Sequence, residues 1–598
     1  MKKVLTTLAI ICSIGAMAKN QDIYLKDYGI LPSRKTNQSP LMQKALEAIA
    51  QKYDDDDHLT IYLEPGQYHF HTEGSYKRAY FISNHDQTNP KSVGVVFEDF
   101  DHITFDGQGA ELLFHGRMLP ISIIDSEGVT IKNLSVDFPN PHISQARIIS
   151  NDPKIGEVVY EMAPWVNYRI ENGNLVCYGE GWAHTPVAGI AFEEKTKRLV
   201  YNTSDIGVGT TQVEDLGNRR IRSRGWKNDK LIPGTVIAMR TYYRPTPGIF
   251  VSESEDLTLN QVSVHYAEGM GLLVQMTEDI TLDHFNVSLR GEEDPRYFTT
   301  QADATHFSAC KGKIKSKNGL YEAMMDDAIN VHGTYLKIVK VIDEKTVQAS
   351  YMHPQAYGFV WGEEGDKVQF VAAKTMEHLP GEYRVASIKP VDRQEIEGAK
   401  VFEIKLNKEL DFDLSAHTVI GIENLTWTPE VYFANNMIRN NRARGTLFST
   451  PKRTVVEDNY FDHTSGSAIL LAGDCNGWFE TGACRDIVIK GNYFKNALTN
   501  MFQFTNAVIS IYPEIPDLAN QKDYFHGGKS NSIVIKKNTF DTFDTPLLYA
   551  KSVDGIIFKE NTVIKNTDYK PLHWNKEPVL FERVTRSKVE LEEEQMAK

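Results

Sequence analysis

Asp303-Ala304-Thr305-His306-Phe307-Ser308 and Asp327-Ala328-Ile329-Asn330-Val331-His332 are one strand-like segment written twice, 24 residues apart, and Asp326 doubles the acid of the second copy. Three carboxylates at such a spacing are candidates for an acid/base centre. Close acids push their proton affinities apart, so one can hold a proton while another stays ionised. Aligned by apolar phase, Phe307, Val331 and Phe448 fall in register, which places Asp303, Asp327 and Arg444 four residues earlier on three neighbouring rungs. Carboxylates one rung apart and offset by one residue have Cα atoms roughly 5–6 Å apart. Side-chain splay could widen this to the roughly 6.5–9.5 Å with which an inverting glycosidase admits a water.

Strict alternation turns Asp303 and Asp327 inward with Phe307 and Val331. The enzyme reading therefore requires the acids to sit in the turn leading into each strand. The plain alternative is an Asp stack capping backbone N–H groups at a corner. His306 and Asn330 share one aligned slot and suit sugar hydroxyls, or form a surface pair. Glu268, in Glu268-Gly269-Met270-Gly271, precedes the strand of the rung before. Trp478 and Glu480 lie in the loop between Cys475 and Cys484, with the makeup of a sugar-stacking platform and a hydrogen-bonding acid. No Gly-rich segment follows a strand and opens a helix, so no nucleotide site is assigned. Without C-x-x-C or H-E-x-x-H spacing, no metal site or cofactor is expected.

The elements that position these residues are repeats. Asparagines at 436, 459, 492, 538 and 561 each follow a short apolar-alternating segment such as Ile487-Val488-Ile489-Lys490. Their steps of 23, 33, 46 and 23 read as one rung, one rung with a ten-residue loop, two rungs and one rung. Asn tolerates left-handed turn geometry and can stack at a corner. The pattern predicts an all-β chain, a right-handed parallel β-helix, with the gaps at 139–247 and 334–427 as inserted β-barrels or sandwiches. Ser39 to Tyr53 has helical spacing (Leu41, Ala45, Leu46, Ile49) and should cap the open N-terminal end. The expected division is a signal (1–18), a cap with first rungs (19–138), insertion one (139–247), rungs carrying the acids (248–333), insertion two (334–427) and closing rungs with a tail (428–598).

The net charge of −14 over 598 residues argues against a nucleic-acid partner, which needs a basic footprint. Met1-Lys2-Lys3, a short apolar run and Ala16-Met17-Ala18 read as an export signal, too short to span a bilayer. The mature protein is then periplasmic, at the cell surface or secreted, with no transmembrane segment. Cys475 and Cys484 either pair there or remain buried thiols. The sequence is compatible with a homo-oligomer.

Asp303 with the doubled acid inside Met325-Asp326-Asp327-Ala328-Ile329-Asn330, on a β-helix broken by two β-insertions, resembles glycoside hydrolase family 110 over nearly the whole mature chain. Those are bacterial α-1,3-galactosidases that remove terminal α-1,3-linked galactose, including that of the blood group B antigen. The resemblance implies an inverting, metal-independent reaction on terminal α-galactosyl oligosaccharides and glycoproteins. Asp326 would be the general acid, and Asp303 and Asp327 would activate the water. It also leans to the subgroup that accepts linear as well as branched galactosides. The rivals are a polygalacturonase-like hydrolase, whose Gly-His-Gly and Arg-x-Lys segments are missing from the expected rungs, and a non-catalytic glycan-binding β-helix.

Overall fold

The computed structural model describes residues 19–53, 57–392, 398–528 and 533–592, so the expected export signal lies outside the described residues. Among them no helix is long and apolar enough to cross a membrane. The solenoid is a right-handed parallel β-helix with three strands to a rung. The first sheet stacks Ile249–Ser252, Leu272–Gln275, Thr305–Ser308, Ile329–Thr334, Thr446–Phe448 and Ile469–Leu471 in parallel. Glu278–Asp283, Lys311–Lys317, Glu430–Ala434 and Arg453–Glu457 belong to the second sheet. Asn286–Val287, Leu320–Glu322, Met437–Arg439 and Tyr460–Asp462 belong to the third.

Alternate side chains explain why these short strands persist. Val274, Phe307, Val331, Phe448 and Leu471 share one inward column and are buried in one continuous core. Each such side chain contributes about 1.5–3 kcal/mol when buried, and only neighbouring rungs need to match. The helix Ser39–Ala50 buries Met42, Ala45, Leu46 and Ile49 in the same core, whereas Leu41 is only partly covered.

The asparagines do form a ladder, but not for the backbone reason expected. The left-handed residue is the one before each: Asn435 (φ 54°), Asp458 (55°), Gly491 (68°), Lys537 (57°) and Glu560 (54°). The ladder asparagine supplies its amide instead. Asn436 N donates to Asn459 Oδ1 at 2.9 Å, and the same bond recurs at 3.0 Å from Asn459 to Asn492, Asn492 to Asn538 and Asn538 to Asn561. The step from 492 to 538 is therefore one rung, not two. Tyr493–Lys495 pairs directly with Thr539–Thr542, and the surplus residues are looped out.

The first insertion runs from Ser144–Asp152 to Val236–Arg240 as an open seven-stranded sheet with a three-stranded companion and its own core. The second is a closed six-stranded barrel. Lys367–Ala372 pairs with Tyr383–Pro390 and Ile420–Asn424, and the ring is completed by Val401–Leu406, Thr346–Ser350 and Leu336–Asp343. Insertion one returns to the solenoid just before Ile249–Ser252, and insertion two departs just after Ile329–Thr334. Both thus flank the first sheet, one where its strands begin and the other where they end.

Candidate active site

The corner leading into the first sheet stacks in register. Asp303 O accepts from Gly271 N at 2.9 Å, Asp327 O from Ala304 N at 2.8 Å, and Gly445 O from Ala328 N at 2.8 Å. Alternation breaks at this corner. Ala304 and Ala328 face the core with Phe307 and Val331, while Asp303 Oδ2 meets the outward His306 Nδ1 at 2.7 Å. The two acids accordingly line a cavity outside the solenoid together with Asp326.

Depth separates the three. The Asp326 side chain is 24% exposed, that of Asp303 6% and that of Asp327 1%. Each places an oxygen within 4.8 Å of the others, closer than the splay expected of them. Arg444 Nη2 donates to Asp327 Oδ2 at 3.0 Å, while Arg442 Nη1 lies 3.3 Å from Asp326 Oδ1. Arg442 is itself held by Asp205 of insertion one at 2.8 and 2.7 Å. Such spacing would also suit a cation, and two guanidinium groups already sit against the cluster.

Burial pushes the Asp303 carboxyl up to about 8, with Asp326 adding to the rise and Arg244 and Arg444 opposing it. Burial also pushes Asp327 up, against the pull of Arg444. Arg444, in contact with Asp327 and always charged, is the partner that favours its ionised form. Asp326 Oδ1, Asp327 Oδ1 and Asn330 Oδ1 are buried without a hydrogen-bond partner, so three acceptors remain to be satisfied at the cavity.

At the far end of the strands, Glu480–Thr481 folds back antiparallel onto Gly333 and Thr334. Glu480 Oε1 accepts from Asn84 Nδ2 at 3.0 Å and lies 3.4 Å from His332 Nε2. Burial opposes its ionisation, but the imidazoles of His332 and His306, the Asn84 amide and Arg444 outweigh it and hold the carboxyl below its usual range. Trp478 stands half-open at the rim. It stacks on His353 of insertion two at 4.4 Å and lies under Arg244, which follows insertion one, at 5.8 Å. The cavity they enclose is about 140 Å³, the space of roughly five waters and so of about one sugar ring.

Asp303, His306, Asp326, Asp327, Asn330, Arg444, Trp478 and Glu480 all line this cavity. Glu268 does not. It is buried against Arg117 at 3.0 Å and lies 3.3 Å from His142. Sequence reading missed Arg442, although it shares parity with Arg444. It also missed Asn84, Arg244, Asp474, Gln503 and Phe504, whose long loops carry no periodic signal. Cys475 and Cys484 are both free and buried, and the Cys484 thiol donates to Phe448 O at 3.3 Å.

The insertions match two family models, GLAA-B beta-barrel domain I over residues 144–237 and GLAA-B beta-barrel domain II over 346–420. A Bacteroides fragilis protein named alpha-1,3-galactosidase B is 56% identical over 585 residues, covering 98% of each chain. A Phocaeicola vulgatus protein of the same name is 56% identical over 580 residues, 97% of this chain and 98% of its own. Among solved structures, a Family 28 exopolygalacturonase of Yersinia enterocolitica overlays with a TM-score of 0.36 at 12% identity, covering 96% of this chain and 79% of its own.

Proposed function

The chain belongs to the alpha-1,3-galactosidase B family, and on that premise we propose that its three-acid cavity removes terminal α-1,3-linked galactose from non-reducing ends with inversion at the anomeric carbon. The observation that carries this reading is the convergence of Asp303, Asp326 and Asp327 on a cavity of about one sugar ring, walled at both ends of the strands. A cavity walled at both ends of the strands suits a chain end rather than the middle of a polymer.

Asp326, nearest the mouth, gives its proton to the glycosidic oxygen as the bond to the anomeric carbon breaks. A water beneath the ring attacks that carbon from the opposite face. Asp303 and Asp327, one rung apart and deeper, hold it, and one of them takes its proton. Arg444 keeps Asp327 charged for this role, and no covalent intermediate forms. Asn330 is placed for a hydroxyl of the bound galactose and Trp478 for the sugar that leaves, whereas both ring nitrogens of His306 are taken by Asp303 and His332. The open mouth suits branched blood group B structures and linear α-1,3-galactosides alike, displayed on oligosaccharides or glycoproteins that an exported enzyme meets.

Proton NMR of the first-formed sugar from a blood group B oligosaccharide tests this directly. β-Galactose is expected, with release slowed by about 10²-fold or more in Asp326→Asn. Initial α-galactose would refute inversion, and glycan binding without turnover would favour a lectin-like role.

A further inference from the structure

A row of hydrogen bonds runs away from Asp303, and beyond that acid it has no part in the scheme above. Asp303 Oδ2 faces His306 Nδ1 at 2.7 Å, His306 Nε2 faces His332 Nε2 at 2.8 Å, and His332 Nδ1 faces Gly333 O at 2.6 Å. All three side chains are buried, and the two rings meet edge to face with centroids 4.8 Å apart. The terminal carbonyl is pinned by its own residue. Gly333 N donates to Thr481 Oγ1 at 3.0 Å, and a Cβ on Gly333 would meet that oxygen at 2.5 Å, so the close approach needs glycine.

Three hydrogen bonds need three protons. A carbonyl only accepts, so His332 Nδ1 donates. Two neutral imidazoles bring two protons in all, one of them on that Nδ1. The third is an additional proton, carried by Asp303 or by one of the rings. In each of these states a proton lies between the two Nε2 atoms. The excess charge can pass from Asp303 to His332 along bonds already made, without a ring flip. Glu480, 3.4 Å from His332 Nε2, balances a charge that arrives there.

We propose that the Asp303–His306–His332 row holds one exchangeable proton in the resting enzyme, and that His332 is the positioning residue that keeps it there. This rests on the cavity being the galactosidase site. Asp303 is then either neutral or matched by an imidazolium, and Asp327 is the carboxylate that takes the proton from water. The water O–H bond breaks as its oxygen attacks carbon, and the proton passes to Asp327. Losing the stored proton leaves Asp303 and Asp327 both charged and one bond of the row without a proton, so activity falls on the alkaline side. His85, Arg244, Arg444, Asp326 and Glu480 all act on His306 or Asp303 and set where that fall occurs.

His332→Leu tests the proposal. With the ring gone, neutral His306 satisfies an ionised Asp303 with its own Nδ1 proton, and no third proton is needed. The alkaline limb of kcat/KM should move down by about one pH unit or more with KM little changed. A uniform loss of kcat at every pH, with the limb unmoved, would overturn it. A second readout needs no substrate, so it separates this idea from the galactosidase reading. In protein labelled with histidine-¹⁵N, one Nε2 of the pair should carry a proton at pH 6 and lose it on titration. Asp303→Asn, whose amide donates permanently to His306, should keep that proton to high pH. Unprotonated Nε2 atoms on both rings of the native enzyme at pH 6 would sink the proposal.

Discussion

Arg444 donates to Asp327 across one rung at 3.0 Å, yet the two are 117 residues apart in the chain. The whole second barrel is looped out between them, so the ion pair forms only if the solenoid closes in register beneath that insertion.

Removing one partner from such a buried pair strands the other charge. Arg444→Met should destabilise the protein by about 3–5 kcal/mol and abolish turnover. Adding Asp327→Asn should recover most of the stability, measured by urea unfolding, and none of the activity.

Asp326→Asn should lower kcat on a blood group B oligosaccharide by about 10²–10⁴-fold with little change in KM. An aryl α-galactoside, whose leaving group needs less protonation, should lose much less. Equal losses on both substrates would remove Asp326 as the acid.

Asp303 is raised in the folded state to about 8 from an ordinary value of 3.8. The folded protein therefore holds this proton more tightly than the unfolded chain. The contribution to stability is full below pH 3.8 and is lost as pH rises through about 8. Urea midpoints measured from pH 5 to 9 should fall more steeply in the native enzyme than in Asp303→Asn.

Trp478 stacks on His353 at the rim, outside the acids. Trp478→Ala should raise KM for oligosaccharides by about tenfold, as expected for about 1.4 kcal/mol of lost contact. KM for a small aryl galactoside should change far less.

No step of the proposed reaction uses a divalent cation, so prolonged treatment with a chelator should leave kcat/KM unchanged. Recovery of a chelator-inactivated enzyme by a divalent cation would contradict that scheme.

Much of the site was legible because a β-helix converts sequence period into spatial neighbourhood. Phe307, Val331 and Phe448 do share a column, and that alone stacks Asp303, Asp327 and Arg444. Loops defeat the same rule. The 46-residue step from Asn492 to Asn538 counts as two periods but is one hydrogen-bonded rung, since pairing is indifferent to how much chain is looped out. Glu268 shows another limit. Its place before a strand suggested the cavity, but Arg117 gives it charge and hydrogen-bond partners away from the cavity lining.

The sequence by itself determined the solenoid, the two insertions, and the three acids with their arginine, because apolar alternation and rung spacing are local properties that every turn repeats. Only the tertiary structure decided that Asp303 and Asp327 face outward, through a break in alternation at Ala304 and Ala328 that no periodic pattern encodes. It also decided what surrounds them. Asn84 meets Glu480 across 396 residues, and Arg442 meets Asp205 across 237. Those contacts exist because long loops and the first insertion close over one sheet face, and burial there sets which carboxyl keeps its proton.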